Sequence, residues 1–145
     1  MYFVDRDKIE QTLIYMEKQI NFLENQSSLK SEVQILAFER SAHVLIEAIL
    51  DVGNAMIDGF IMRDPGSYED IIDILDDESV ITKDMIEPLK KIVGSRKQLV
   101  QQYVDVNHEE ISAIFTKSLP VLNQFPLCVR NYLLNELGPV SAFRK

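Results

Sequence analysis

The chain is poor in the residues that mark several common classes of protein. Its 145 residues include a single cysteine, Cys128, so it has neither an internal disulfide nor the cysteine spacing of a metal site. Its five glycines are scattered and form no Gly-rich phosphate loop. No apolar run approaches the roughly 18–20 residues that span a bilayer, and the first residues lack the pattern of a signal peptide. We therefore expect a cytosolic protein from a reducing compartment, with no membrane partner.

Length and composition predict one globular domain that spans residues 1–145. Hydrophobic residues make up 46% of the chain and charged residues 26%, which is typical of a folded protein with a substantial core. The formal net charge of −8 disfavours loose, charge-driven binding to nucleic acid.

Acidic and basic residues separate into two neighbouring segments. Residues 64–79 include seven acids and no base, whereas residues 83–100 include five bases and two acids. Either the two segments pair weakly at the surface, as exposed charges commonly do, or the basic segment forms a small patch for phosphates or an acidic partner.

Helical periodicity and capping residues predict an all-α fold. Asp5 can cap a first helix that runs to about Gln26. Ser31 and Gln34 form a capping box for a long helix that reaches about Met62, roughly 45 Å at 1.5 Å per residue. Further helices are predicted from Ser67 to about Asp76, from Thr82 to Val104, from Asn107 to just before Phe125, and from Leu127 to Leu137. Such helices pack as a bundle of five to six helices with one long central helix.

Prolines predict where these helices bend or end. We expect Pro88 to kink or restart the fourth helix and Pro120 to bend the fifth. Pro126 is expected to end the fifth helix, and the pair Gly138-Pro139 to stop the last one.

The long central helix carries a single polar line. Between Ala42 and Ile57 nearly all residues outside this line are apolar, which is typical of a helix buried by several neighbours. The polar residues recur at steps of three or four, the period of one helical face: Arg40, His43, Glu47, Asp51, Asn54 and Asp58. This line faces either water, with contacts between residues four apart, or a polar seam shared with another helix or subunit.

A metal site on this line is disfavoured by helix geometry. His43 and Asp51 lie about 12 Å apart along a helix, too far to hold one ion together with Glu47. Metal sites in helical bundles use Glu-x-x-His pairs from facing helices, and the sequence contains no such pair. We therefore expect neither a metal nor another cofactor.

The fourth predicted helix contains the residues best suited to chemistry. Residues 94–103 read GSRKQLVQQY, and an α-helix would place Arg96, Val100 and Tyr103 on one face with Gln101 beside them. Taken alone, this pattern is typical of an ion-pairing arginine and a half-buried ring.

Three segments together resemble the HepT-like branch of the HEPN superfamily. They are residues 39–54 (ERSAHVLIEAILDVGN), 64–68 (DPGSY) and 96–103, and the closing 136–140 (ELGPV) is similar to an uncharacterised subgroup. The resemblance implies an antiparallel HEPN-type bundle that forms a homodimer. It also implies a metal-independent toxin–antitoxin ribonuclease that acts on RNA, and a nucleotidyltransferase antitoxin partner that attaches AMP to the motif Tyr.

In the ribonucleases of that branch the motif reads Arg-Asn-x-x-x-His-x-Tyr. Arg96 and Tyr103 match the Arg and the Tyr, whereas Lys97 replaces the Asn and Gln101 replaces the His. The His moves a proton as the ribose 2′-OH attacks the phosphate, and the Arg stabilises the charge that develops. A Gln amide has no accessible pKa, so Gln101 cannot move that proton. Arg96, Gln101 and Tyr103 are therefore candidate catalytic residues of a degenerate motif.

Residues on the central helix could support this motif. His43 could approach Arg96 in space and replace the missing His, whereas His108 lies too far along the chain. Glu47 or Asp51 could hold the Arg96 guanidinium. The resemblance implies that the polar line faces the fourth helix at a dimer groove near Arg96. The candidate substrate-binding or supporting residues are therefore Lys97 and five members of this line, Arg40, His43, Glu47, Asp51 and Asn54. Three functions remain open: an active ribonuclease, a non-catalytic module that binds a nucleotide or a partner, and a structural protein with a relic motif.

Overall fold

The computed structural model describes residues 4–26 and 28–138, and this part of the chain is helical without a β-strand. The α-helices are α1 Arg6–Asn25, α2 Glu32–Gly59, α3 Tyr68–Asp77, α4 Ile86–Gly94, α5 His108–Lys117 and α6 Leu119–Leu137. A 3₁₀ turn, Lys83–Met85, precedes α4, and a π-helical turn, Lys97–Gln101, follows it. The predicted all-α bundle with a long central helix is confirmed. No helix within the described ranges is long and apolar enough to cross a membrane.

Capping hydrogen bonds confirm four of the predicted helix starts. In each, a side-chain oxygen accepts from the backbone N–H three residues later, at 3.0 to 3.1 Å. The capping residues are Asp5, Ser31, Ser67 and Asn107. At Ser31 the box also closes, because Gln34 Oε1 accepts from the Ser31 N–H at 3.1 Å.

Helix α2 forms the centre of the core. It packs against α1, α3 and α4, and most of its apolar residues are fully buried. The predicted stripe on α1 packs against it, with Ile9, Leu13, Met16 and Ile20 buried and Leu23 partly buried. Gly53 lets α3 approach α2 closely, since a Cβ at this position would lie 2.5 Å from Ile71 Cγ2.

Helix α2 ends three residues earlier than predicted. Its last residue is Gly59, and Ile61 adopts the left-handed region with φ 56°, which a continuing α-helix cannot accommodate. The connection to α3 then runs through residues 62–67 to the Ser67 cap.

The predicted boundary between the last two helices is wrong. Helix α5 ends at Lys117, and α6 begins at Leu119, so Pro120 lies at the second position of α6. A proline is tolerated there because the first N–H groups of a helix have no partner within the helix. Pro126 lies buried inside α6 and does not end it. Gly138 ends α6 with φ 77°, as predicted, and Pro139 lies outside the described residues.

The fourth predicted helix is divided. The 3₁₀ turn occupies its beginning, and Pro88 lies in the first turn of α4, where it marks a helix start and does not kink the helix. The helical path ends at Gln101, short of Val104, and its last turn is a π turn.

Arg130 connects the last helix of the bundle to the first. Its guanidinium on α6 donates to Glu10 at 2.8 and 2.9 Å and to Glu17 at 2.8 Å, both on α1. Such two-pronged arginine–carboxylate contacts fix geometry as well as charge, so they hold α6 in register against α1.

Candidate functional site

Arg96 is held by a carboxylate of the central helix. Its Nε donates to Glu47 Oε1 at 2.7 Å, with the two side chains 22% and 34% exposed. The hydrogen bond from Arg96 to Glu47 raises the pKa of the arginine above its ordinary value, so the guanidinium stays charged. Glu47 and Asp51 were the two carboxylates expected to hold Arg96, and Glu47 makes the contact. The pair fixes the end of α4 against the middle of α2.

Tyr68 covers one face of the same guanidinium. Arg96 Cζ lies 4.9 Å from the centre of the Tyr68 ring, a cation–π contact. With Nε on Glu47 and one face on Tyr68, the two terminal Nη groups make no hydrogen bond to another described residue. These donors are therefore available to an oxyanion such as a phosphate. Sequence reasoning did not single out Tyr68, although this residue closes the segment 64–68 on which the family resemblance partly rests.

His43 shares the carboxylate oxygen that binds Arg96. Its Nε2 lies 3.5 Å from Glu47 Oε1, one helical turn away on α2. Nε2 of His43 and Nε of Arg96 are therefore separated by no more than the sum of their distances to this oxygen. The structure thus brings an imidazole close to Arg96, as the sequence hypothesis required. The side chain of His43 is 35% exposed, so it remains accessible from solvent.

The motif segment forms a π turn instead of an α-helix. The Gln102 N–H donates to Lys97 O at 2.9 Å, a bond across five residues. Such turns are rare and occur frequently at functional sites. The predicted common face of Arg96, Val100 and Tyr103 does not form, because Tyr103 lies beyond the last helical residue and is 69% exposed.

Gln101 and Tyr103 do not reach the Arg96 side chain. Gln101 is exposed at the end of the π turn, and no hydrogen bond or ring contact joins either residue to Arg96 among the described residues. Gln98 has a structural task instead, since its Oε1 accepts from the Asn107 N–H at 3.0 Å and ties the π turn to the start of α5. Lys97 is exposed beside Arg96.

The polar line on α2 does not face Arg96 as a whole. Asp51 and Asn54 line a groove of about 330 Å³ with Lys8 and Thr12 of α1. The expectation that both residues face the fourth helix is therefore wrong, because the line extends along α2 past the point where α4 crosses it. Arg40 is exposed one turn before His43. Only His43 and Glu47 of this line take part in the contacts around Arg96 within the described structure.

His108 belongs to a different contact. Its Nε2 lies 3.3 Å from Glu39 Oε2, which is close enough for an ion pair, yet the two groups are not aligned for a hydrogen bond. This contact fixes the start of α5 against α2 and leaves His43 as the imidazole beside Arg96.

The acidic and basic segments pair with each other at the surface. Lys90 lies 2.8 Å from Asp73, and Lys83 lies 3.5 Å from Asp76. These pairs favour the first of the two interpretations of the charge pattern. Over the residues that the structure describes, no group of three or more His, Cys, Asp or Glu side chains could hold a metal ion.

The fold and this site define a HEPN-type helical bundle with a carboxylate-supported arginine at the end of its fourth helix. The model of the family described as Ribonuclease HepT-like matches residues 8–129, and the chain belongs to this family. Among curated proteins it is similar to YutE of Bacillus subtilis (strain 168), which carries a provisional RNase name. The two are 52% identical over 144 residues, covering 99% of this chain and 100% of that protein.

Solved structures with this fold range widely in their sequence identity to this chain. The structure of YutE, described as a cytosolic protein of unknown function, superimposes with a TM-score of 0.95 at 52% identity over 99% of this chain and 100% of that one. A toxin–antitoxin crystal structure with AMP-PNP has a TM-score of 0.73 at 19% identity, covering 86% of this chain and 98% of that one. The tri-AMPylated Shewanella oneidensis HEPN toxin in complex with MNT antitoxin has a TM-score of 0.71 at 22% identity, with coverage of 86% and 95%. These two share the fold with this chain.

Proposed function

We propose that this protein is a metal-independent ribonuclease whose site consists of Arg96, Glu47 and His43. One observation carries the proposal: Arg96 Nε and His43 Nε2 lie 2.7 and 3.5 Å from the same oxygen, Glu47 Oε1. A cation for phosphate and a titratable imidazole at one point are the two groups that RNA cleavage by an internal nucleophile requires.

Arg96 binds the phosphate that is cleaved. Its free Nη donors point a fixed charge at the oxygens on which negative charge develops in the transition state. Because Glu47 and Tyr68 already hold the guanidinium, little reorganisation is needed when the phosphate arrives. Arg40 and Lys97, both exposed, contact neighbouring phosphates of the strand.

His43 replaces the histidine that the motif lacks. It accepts the proton of the ribose 2′-OH as that oxygen attacks phosphorus, and the bond to the 5′-oxygen breaks as this oxygen takes a proton from water. The products are a 2′,3′-cyclic phosphate and a free 5′-hydroxyl. The Glu47 carboxylate lies 3.5 Å from His43 Nε2 and orients the imidazole through this nitrogen, which leaves Nδ1 to accept the proton.

We further propose a homodimer of a single-domain chain and a nucleotidyltransferase antitoxin as its partner. Family membership and the MNT complex of a protein with the same fold support this assignment. The Tyr103 hydroxyl is its candidate point of regulation, because the residue is 69% exposed and accessible to a modifying enzyme.

A non-catalytic binding module is the second candidate function. It is favoured by the exposure of Gln101 and Tyr103, neither of which touches Arg96, and by the inability of a glutamine to move a proton. Such a module would bind a nucleotide or a partner protein through Arg96 without cleavage.

Cleavage of RNA in excess EDTA separates the two functions. We expect the wild type to cut RNA and to leave 2′,3′-cyclic phosphate ends, and Arg96→Ala to lose this activity. Lys91→Ala is the matched control, because it removes an exposed cation of α4. Absence of cleavage by the wild type, with saturable nucleotide binding that Arg96→Ala weakens, would overturn the ribonuclease and support the binding module.

A further inference from the structure

We infer that a shallow cavity at the start of α3 binds a nucleobase of the nucleotide whose phosphate lies on Arg96. The cavity has a volume of about 400 Å³ and lies between α2 and the first turn of α3. Asn54, Tyr68, Glu69 and Ile71 are among the residues that line it. The inference rests on the proposed function, since it uses Arg96 as the phosphate site.

Tyr68 joins the cavity to Arg96. Its ring lies 4.9 Å from Arg96 Cζ and also forms part of the cavity wall. In a nucleotide the sugar alone separates the phosphate from the base. A phosphate on the free Nη groups of Arg96 therefore brings its base to the Tyr68 ring. The guanidinium covers one face of this ring, and 47% of the residue is exposed, so ring surface remains for stacking.

The chemistry of the cavity suits a base and not a phosphate. Glu69 is acidic and no basic residue contributes to the wall, so a second phosphate would be repelled. The Asn54 amide offers both a donor and an acceptor, and the Glu69 carboxylate is an acceptor for an amino or imino N–H. Proteins recognise single-stranded RNA bases through this combination of an aromatic platform and polar groups at the base edge.

This subsite also gives Asn54 a use that the polar line alone does not explain. Asn54 is exposed and lies on α2 two turns after Glu47, on the side where α3 begins. The single-stranded nucleotide then runs from Arg96 at the end of α4, across Tyr68, to Asn54. Double-stranded RNA cannot place an unstacked base there, so the inference also names the substrate class as single-stranded RNA.

Comparison of base-bearing and abasic strands tests the inference. The probe is a single-stranded 2′-O-methyl oligonucleotide, which has no free 2′-OH and cannot be cut, and the reference is an abasic strand of the same length. Both are titrated at one fixed salt concentration, because phosphate contacts depend on salt. The proteins are the wild type, Tyr68→Leu, Tyr68→Phe and Arg96→Ala, and the melting temperature of each is checked first. Free AMP is titrated separately.

We expect the wild type to prefer the base-bearing strand by about 5- to 150-fold, the range for stacking one base on an aromatic ring. Tyr68→Phe should keep this preference and Tyr68→Leu should lose most of it, while Arg96→Ala weakens both strands. If AMP binds with this dependence on Tyr68 and neither strand binds, the subsite holds a free nucleotide instead of RNA. That result still supports the contact between the base and Tyr68.

Two results would overturn the nucleobase subsite while leaving the proposed ribonuclease intact. One is equal affinity of the wild type for both strands, with Arg96→Ala weakening each. The other is that Tyr68→Leu lowers the affinity for both strands by the same factor, which would mean that the ring only positions Arg96. Failure of the Arg96 phosphate site, on which the proposed function rests, gives a different result: neither the strands nor AMP binds, or Arg96→Ala changes nothing. Failure of the ribonuclease activity alone shows in the cleavage assay and leaves these affinities unchanged.

Discussion

Glu47 Oε1 accepts a hydrogen bond from Arg96 Nε at 2.7 Å, although 49 positions separate the two residues in the sequence. The contact crosses from the middle of the central helix to the end of α4, where the backbone changes to a π turn. It fixes the one arginine of the motif segment, and the same oxygen is the nearest anionic partner of His43. The arrangement of the site therefore depends on one carboxylate.

Removing the Glu47 carboxylate should reduce RNA cleavage without unfolding the protein. Glu47→Ala frees the guanidinium of Arg96, and a misplaced catalytic group costs up to about 10²-fold in rate. Glu47→Gln keeps an acceptor for Arg96 and should fall between this variant and the wild type. Single-turnover cleavage in EDTA measures the effect. Asp51→Ala, one turn further along α2, is the control, and a loss in this control equal to that of Glu47→Ala would contradict the assignment.

A methyl group at Gly53 should destabilise the fold. Its Cβ would lie 2.5 Å from Ile71 Cγ2, so α2 and α3 must move apart, and overpacking of a core costs about 1–3 kcal/mol. The higher helix propensity of alanine returns about 1 kcal/mol of this. We expect a net loss in the free energy of unfolding of up to about 2 kcal/mol in urea. Gly66→Ala is the control, since its Cβ would meet Asp70 Oδ2 at an ordinary 3.6 Å. Equal stability of the Gly53→Ala variant and the wild type would refute this packing argument.

Asp70 should make stability depend on pH at the acid end. Hydrogen bonds from Arg63 and from the Gly66 N–H lower the pKa of Asp70 from 3.8 to about 2. Because the pKa is lower in the folded state, this stabilisation is complete above pH 3.8 and is lost as the pH falls towards 2. Urea unfolding of Asp70→Asn should show lower stability at neutral pH and a smaller change across that range. Asp77→Asn, 64% exposed and 3.6 Å from Arg63, should behave like the wild type. Identical pH profiles for Asp70→Asn and the wild type would count against the Arg63 contact.

The helix starts could be predicted from sequence because a cap is a local interaction. Asp5, Ser31, Ser67 and Asn107 each bind an N–H three residues later, within one turn. The helix ends were harder to predict. Pro120 and Pro126 carry the same chemical restriction, and only the position of the helix start makes the first a normal residue of α6 and the second an interior one.

The sequence predicts which residues form the candidate site better than it predicts how they are arranged. The motif and the polar line identified Arg96, Glu47 and His43. The sequence does not reveal the π turn, because hydrogen bonds across five residues leave no distinct hydrophobic period. Tyr103 was therefore predicted to share a helical face with Arg96, although it lies beyond the last helical residue. Tyr68 was missed because its contact with Arg96 depends on how α3 packs beside α4, which local pattern does not encode.

A double-mutant comparison of His43 and Arg96 tests the central claim most directly. Single-turnover RNA cleavage in EDTA would be measured for the wild type, His43→Ala, Arg96→Ala and the double variant, after the four are shown to melt alike. Loss of a general acid/base typically costs about 10²–10⁴-fold in rate, and groups that act as a unit are not additive. We predict such a loss for each single variant and little further loss for the double variant. Cleavage at the wild-type rate by His43→Ala would contradict the account.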